Sequence, residues 1–435
     1  MMVNLNLLPK QFMAEANNTL LPRLIALKKM TLRKIAARKS MQLRQQLLKR
    51  LCIAPLIILL LSFGLKTGCF LNSTYHPNQQ LNSDLLNIDL LKITGNLIAR
   101  QRQAMTIQPT SNASTTSDTV PMTVITTCYG RNRHLYNLLS SLENSSVKPA
   151  EVIIVNDDAD PNRLAEFSLN IVKLPTTVKS AVNDGGDTTT TEFDIGHNRN
   201  LGALQATHDM LIFLDVDCIV APTFIEQMYK KLLQYPNALL MGQPRYLTRP
   251  LSVEENAQLK INHLPVSILD ELSVYNPYRY NFDEADSYPT ETEQTAIKQT
   301  DDYGAFWSLC FAIKRQTFDK IGGFDTQYTG YGAEDTDFAF TARRLGIDFY
   351  LTADIAYHQQ HSVYRPPLNH LDSIIVNANR FYQKWHCWPM AGWLSQFSDM
   401  DLIDWTEEQS LPIAIQREPN DNEVKRAHCP DAPYV

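Results

Sequence analysis

The feature that most constrains this chain lies between residues 121 and 234, where β-branched apolar runs alternate with stretches of helical periodicity. "MTVITTC", "EVIIVND" and "MLIFLDVD" read as strands; "RHLYNLLSSLEN", "HNRNLGALQATH" and "PTFIEQMYKKLLQY", which follow them in turn, read as helices. Strands that are apolar throughout, without polar alternation, are those covered on both faces, and parallel neighbours need a crossover connection of this length. The pattern therefore predicts an α/β fold with a mostly parallel sheet flanked by helices. In such open sheets ligands bind outside the carboxyl ends of the strands. Acids stand at those ends: Asp157 after the second strand, Asp215 and Asp217 after the third.

Two carboxylates flanking one residue at a strand end can turn together toward a hard divalent cation, which wants oxygen ligands and often shares them with a substrate diphosphate. Taken singly, an Asp after a strand needs no such explanation. The chain has neither a Walker A loop nor a GxGxxG fingerprint, so an ATPase or a dinucleotide-dependent oxidoreductase would lack its usual phosphate cradle. A second acidic cluster, Glu334, Asp335 and Asp337, sits in "GYGAEDTDFAFTARRLG" (330–346) just before a helical run. A helix N-terminus welcomes anions, yet carboxylates this close raise one another's pKa.

Five stretches, in order, resemble a family 2 glycosyltransferase of GT-A (Rossmann-like) fold: "VITTCYGRNRHLYNLLSSL", "EVIIVNDDAD", "GHNRNLGALQATHDMLIFLDVDCI", "FWSLCFAIKRQTFDKIGGFDTQYTGYGAEDTDFAFTARRLG" and "AYHQQH". The likeness runs from about Pro121 to about Leu394, and its C-terminal part is similar to the module of β-galactosyltransferases and bacterial chondroitin-type polymerases. The resemblance implies a UDP-sugar donor held by Thr127, Asp157, Arg199 and the Asp215/Asp217 pair. It implies a Mn2+ or Mg2+ site of Asp215, Asp217 and His358, with Asp217 the direct ligand of the pair and His361 as a rival imidazole. Asp335 would be the catalytic base and Glu334 the residue that orients a glycan, glycolipid or polysaccharide acceptor, while Asp337 stabilises the helix start. Trp307 and Phe306 match a place where sugars meet aromatic rings, core packing being the plainer reading of Phe306. An Asp at 335 implies inverting transfer. The alternatives are a retaining enzyme like the polypeptide N-acetylgalactosaminyltransferases, which carry Glu-Asn there, and a silent glycan- or nucleotide-binding protein of the same fold.

The remainder of the chain bears on location. Residues 20–50 hold ten Lys/Arg and no acid, with Leu, Ile and Met at helical spacing, and an uncharged apolar run follows at 51–65. This predicts a basic amphipathic region over 1–50 and a hydrophobic membrane segment over 51–71, which either spans the bilayer or lies in its interface. Spanning would send the body across the membrane; interfacial seating keeps it on the cytoplasmic face, the reading favoured by seven scattered cysteines without a pairing pattern. A linker follows over 72–119, then the nucleotide-sugar half (120–240), the acceptor half (241–404) and a polar tail (405–435). The net charge of −6 conceals 11 basic residues against one acid in the first 50 and 29 against 45 beyond, which argues against nucleic acid as a partner. Residues 176–193 read as a polar loop. "RFYQKWHCWPMAGWL" (380–394) reads as a helix and turn over the core, or as an acceptor platform.

Overall fold

Strand β1 (Thr119–Thr127) has six consecutive buried residues at its C-terminal end, the burial expected of a strand in the middle of a sheet covered on both faces. In the computed structural model, which describes residues 119–155, 158–175, 178–182, 188–277, 279–280, 296–410 and 412–434, β1 is the centre from which the sheet grows both ways. Helix α1 (Asn132–Glu143) leads to β2 (Lys148–Val155), parallel to β1; the single turn α2 (Pro161–Leu164) leads to β3 (Ile171–Leu174), parallel to β2. The segment read as a polar loop is instead an antiparallel pair, β4 (Val178–Val182) and β5 (Thr188–Phe193). Its run of threonines is β-branched and favours extended backbone, which polarity alone concealed.

Helix α3 (Ile195–Gln205) then crosses to β6 (Met210–Leu214), which pairs with β1 on the side away from β2. The Asp194 side chain caps α3 by accepting from His197 N. Gly202 lets the helix lie on β1, since a Cβ there would come 2.4 Å from Ile125 Cγ2. Next come β7 (Cys218–Val220), α4 (Phe224–Gln234), β8 (Leu239–Leu247), α5 (Val253–Lys260), α6 (Val266–Glu271) and β9 (Ser273–Tyr275), followed by β10 (Ile297–Gln299), β11 (Cys310–Lys314), α7 (Arg315–Ile321), α8 (Glu334–Arg344) and β12 (Phe349–His358). The strand order is β10-β12-β8-β11-β6-β1-β2-β3, with β7 on β12 and β9 on β8. β11 runs antiparallel to both β6 and β8, so β3, β2, β1, β6, β8 and β12 share one direction. The molecule is thus mixed α/β with a mostly parallel central sheet. Strand order reverses between β1 and β6, and that crevice is where such sheets receive ligands.

Each face of the sheet has its own core. One packs Leu135, Leu138, Leu139 and Leu142 of α1 and Phe224, Ile225, Met228 and Leu232 of α4 against β1, β2 and β6, at the i, i+3, i+4, i+7 spacing of an amphipathic helix. The other packs α3, α7 and α8 through a group of phenylalanines. Phe338 of α8 stacks on Phe324 at 4.6 Å and lies 5.9 Å from Phe306 and from Phe311, and Phe306 is fully buried, the core role.

A third core gathers residues beyond the sheet. It joins α9 (Leu371–Trp385), α10 (Ala391–Asp399) and α11 (Asp421–Ala427), with Trp405, Ile413 and Ala427 buried. The expected polar tail is therefore folded. Its apolar anchors are few and widely spaced, so composition hid them, and β14 (His428–Cys429) pairs with β13 (Val363–Tyr364). Among the described residues no helix is long and apolar enough to cross a membrane. The expected basic region, membrane segment and linker, and Asp157, lie outside the described residues.

Candidate active site

A β-ladder closes the gap of some 140 residues between the two acids after β6 and the late histidine. β7 follows Asp217 directly and pairs antiparallel with the end of β12, setting Cys218 opposite His358. Gln359 N donates to Asp217 O at 2.6 Å, and Asp215 N donates to Leu309 O at 2.8 Å. Asp217 and His358 are therefore neighbours by register. With His361 they offer one carboxylate oxygen and two imidazole nitrogens within 4.8 Å of one another. His361 Nε2 is 3.7 Å from Asp217 Oδ2.

The surroundings suit a cation. Among the described residues His358 Nδ1 and His361 Nε2 are buried without hydrogen-bond partners, which is costly unless something else meets them. Burial pushes the His358 pKa down to about 3 despite the Asp217 charge, keeping the ring neutral as a ligand must be. Asp217 also accepts from His134 Nδ1 and Arg131 Nη1. Burial opposes its ionisation, but the His134 hydrogen bond and the Arg131 charge outweigh that and hold the carboxyl well below its usual range. Asp215, expected among the metal ligands, lies outside this cluster. It accepts from Arg199 Nη2 at 2.7 Å.

Arg199 connects the two acidic motifs. Its side chain is 4% exposed, and its Nη1 is 3.7 Å from Glu334 Oε1, the first residue of α8. The turn before α8 has positive φ at Gly330, Gly332 and Ala333. A Cβ on Gly332 would strike Met390 Sδ at 2.5 Å, and Ala333 at φ 71° holds a conformation costing about 1–3 kcal/mol for a non-glycine residue. Asn377, buried in α9, keeps the turn in place: its Nδ2 donates toward Thr329 O, Tyr331 O and Gly332 O at 2.9, 3.2 and 3.0 Å. Burial, then the charge of Asp335, raises the Glu334 pKa to about 8 against the pull of Arg199. Burial also raises Asp335, whose Oδ1 accepts from Thr336 N at 2.7 Å.

A model of the family described as glycosyltransferase like family 2 matches residues 124–366, more than half of the chain. The chain belongs to this family. The enzyme is a glycosyltransferase, and it is 23% identical over 293 residues to the N-acetylglucosaminyl-diphospho-decaprenol L-rhamnosyltransferase of Mycobacterium tuberculosis, covering 64% of this chain and 91% of that one. To the chondroitin synthase of Pasteurella multocida it is 22% identical over 247 residues, which is 55% of this chain and 25% of the relative. The solved structure of GalNAc-T7 with UDP, GalNAc and Mn2+ overlaps 55% of this chain and 42% of that one at 15% identity and a TM-score of 0.36, too slight a likeness to bear on the site.

Several residues of the enzyme's site carried no expectation. Arg131 and His134 stand in "CYGRNRH" right after β1, where a strand-end position was the available signal. Tyr434 gave none. Its ring stacks on His358 at 4.8 Å and lies 5.3 Å from His361, and its hydroxyl bonds that of Tyr331 in the turn before α8. It is held by Gln360 Nε2, which donates to Pro430 O and Ala432 O, and by Arg365, which donates to Pro433 O. Thr127 is buried at the end of β1 beside the crevice. Trp307 is partly buried under the guanidinium of Arg279, 3.4 Å from the ring centre. Asp337 does more than begin a helix: its buried carboxylate accepts from Tyr328 Oη, Lys384 Nζ and Trp385 Nε1 at 3.1, 2.8 and 2.7 Å.

Proposed function

We propose that this enzyme is a GT-A-type, metal-dependent, inverting glycosyltransferase that moves a sugar from UDP to a hydroxyl of a glycan, glycolipid or polysaccharide. The observation that carries the reading is Arg199, whose guanidinium bonds Asp215 and faces Glu334, so that the acids after β6 and those opening α8 share one rim of the sheet. Asp335 accepts the proton of the acceptor hydroxyl as that oxygen bonds the anomeric carbon and the bond from that carbon to the diphosphate breaks. Glu334, protonated below about pH 8, donates a hydrogen bond that orients the acceptor. Arg199 keeps positive charge beside Asp215, where the departing diphosphate gathers negative charge. Asp217, His358 and His361 would hold a divalent cation, and two imidazoles favour Mn2+ over the oxygen-seeking Mg2+; bound there, it would supply further charge for the leaving group. Thr127, Asp157 and Trp307 complete the donor and acceptor contacts.

UDP release with added Mn2+ across a panel of UDP-sugars and acceptors tests this. Asp335→Asn should lower the rate by about 10²–10⁴, and NMR of the product should give the anomer opposite to the donor. An unchanged rate, or retention, rejects the mechanism. That the mycobacterial relative is named as a transferase of a diphospho-decaprenol also supports an acceptor at a lipid surface. With the basic residues 20–50 and the apolar run that follows, we extend the proposal to attachment of the enzyme at the cytoplasmic face of a membrane. Protease accessibility in sealed vesicles decides the side.

A further inference from the structure

Beside Arg279 lies a cavity of about 230 Å3, walled by strands β8, β9, β10 and β12 and by Arg279, Tyr280, Asp302 and Ala305. Pockets that enclose whole small molecules run to about 300–1,000 Å3, so this one has room for a substituent or a single residue of a longer ligand. Two cations line it. Lys298 Nζ sits 3.5 Å above the Tyr280 ring. Arg279 stacks on Trp307, makes no ion pair among the described residues, and has a buried Nη1 without a hydrogen-bond partner. Guanidinium groups withdrawn from water are ordinarily met by a carboxylate or phosphate.

We propose that this cavity is an acceptor subsite for an anionic group, a carboxylate or a phosphate ester, carried by the glycan that presents its hydroxyl to Asp335. The assignment rests on the glycosyl-transfer reading of α8 given above. Three features place the subsite. Trp307 and the cavity share Arg279; Arg279 and Asp335 feel one another's charge; and Ala305 of the cavity wall leads directly into the Phe306–Trp307 pair. Burial lowers the Arg279 pKa to about 10, against the opposing influence of Tyr246, Asp335 and Asp302, so it stays cationic at neutral pH. An anion entering the cavity would complete its missing partner.

Calorimetric titration of the full chain, with UDP present to fill the nucleotide site, compares methyl glucuronide, methyl glucoside 6-phosphate and neutral methyl glucoside. At least one charged sugar should bind about tenfold more tightly than the neutral one, the worth of a charged hydrogen bond, and which one binds identifies carboxylate or phosphate. Arg279→Gln should erase the preference while UDP affinity and melting temperature hold; Arg279→Lys should keep part of it. Should Arg279→Gln not fold, Lys298→Gln, at an exposed strand edge, takes its place and should reduce the preference. Equal binding of the three sugars, binding of none, or a preference that survives the substitution overturns the subsite. Asp335→Asn should leave the preference intact; an undiminished rate of UDP release in that variant would count against the base and not against the subsite.

Discussion

At the scale of single residues, Glu334 and Asp335 divide the labour through their surroundings. Asp335 works ionised, and burial raises its pKa, so kcat/KM should fall with decreasing pH at a point above the ordinary carboxylate range. Glu334 works protonated, and its pKa of about 8 should give a second, alkaline limb. Arg199, Asp215, Arg279, Tyr331 and Tyr434 face this pair, and Glu334→Gln alters none of them. That variant should lose the alkaline limb, retain the acid one and raise the acceptor KM, all measurable from one set of pH profiles. Tyr434 permits a finer comparison. Tyr434→Phe removes only the bond to Tyr331 and should lower kcat severalfold, about the worth of one neutral hydrogen bond. Tyr434→Ala also removes the ring beside His358 and should weaken Mn2+ binding, read by titration calorimetry.

At the scale of elements, α8 is aimed by three separate attachments: Phe338 in the phenylalanine core, Asn377 on the preceding turn, and Asp337 tied to α9. Asp337→Ala would leave Trp385 Nε1 and Tyr328 Oη without their acceptor and Lys384 with only the Asp325 carboxylate at 3.8 Å, and a buried donor left unmet costs about 1–3 kcal/mol. Denaturant unfolding should show a loss of that size. Gly332→Ala meets both a positive φ and the Met390 sulfur, and should cost about 1–3 kcal/mol with a drop in kcat, because the strained turn leads straight into Glu334. Helix α8 was legible in the sequence through its acids and apolar spacing, but the contacts that orient it were not. Lys384 sits within 380–394, where the tryptophans are the stronger signal, and Asn377 lies three residues before that stretch. Those tryptophans serve packing: Trp388 stacks on Tyr382 at 4.2 Å, and Trp393 lies 5.6 Å from Tyr331.

Over the whole molecule, what could be read from sequence was the part encoded locally. Apolar runs of five to nine residues and helices of eleven or twelve announce themselves by period, so β1, β2 and β6, with Asp215 and Asp217 after the last of them, stood where the pattern put them. Contacts made by very short strands did not: β7, β13 and β14 have three, two and two residues, below the length at which alternation carries information. For that reason the grouping of His361 with His358, the pairing of Asp215 with Arg199, and the return of Tyr434 to the site all required coordinates. Removal of residues 428–435 should lower the melting temperature and Mn2+ affinity together, because this segment contributes both a ladder and the ring beside His358. The short ladder of β7 on β12 has a further effect. It acts as a caliper: Cys218 faces His358 at the usual strand separation of about 4.5–5.5 Å, so Asp217, one residue along, is spaced from His358 by the ladder and not by the length of chain that joins them. Loops between residues 221 and 348 can lengthen, shorten or exchange to suit new acceptors while the jaws of the caliper keep their gap.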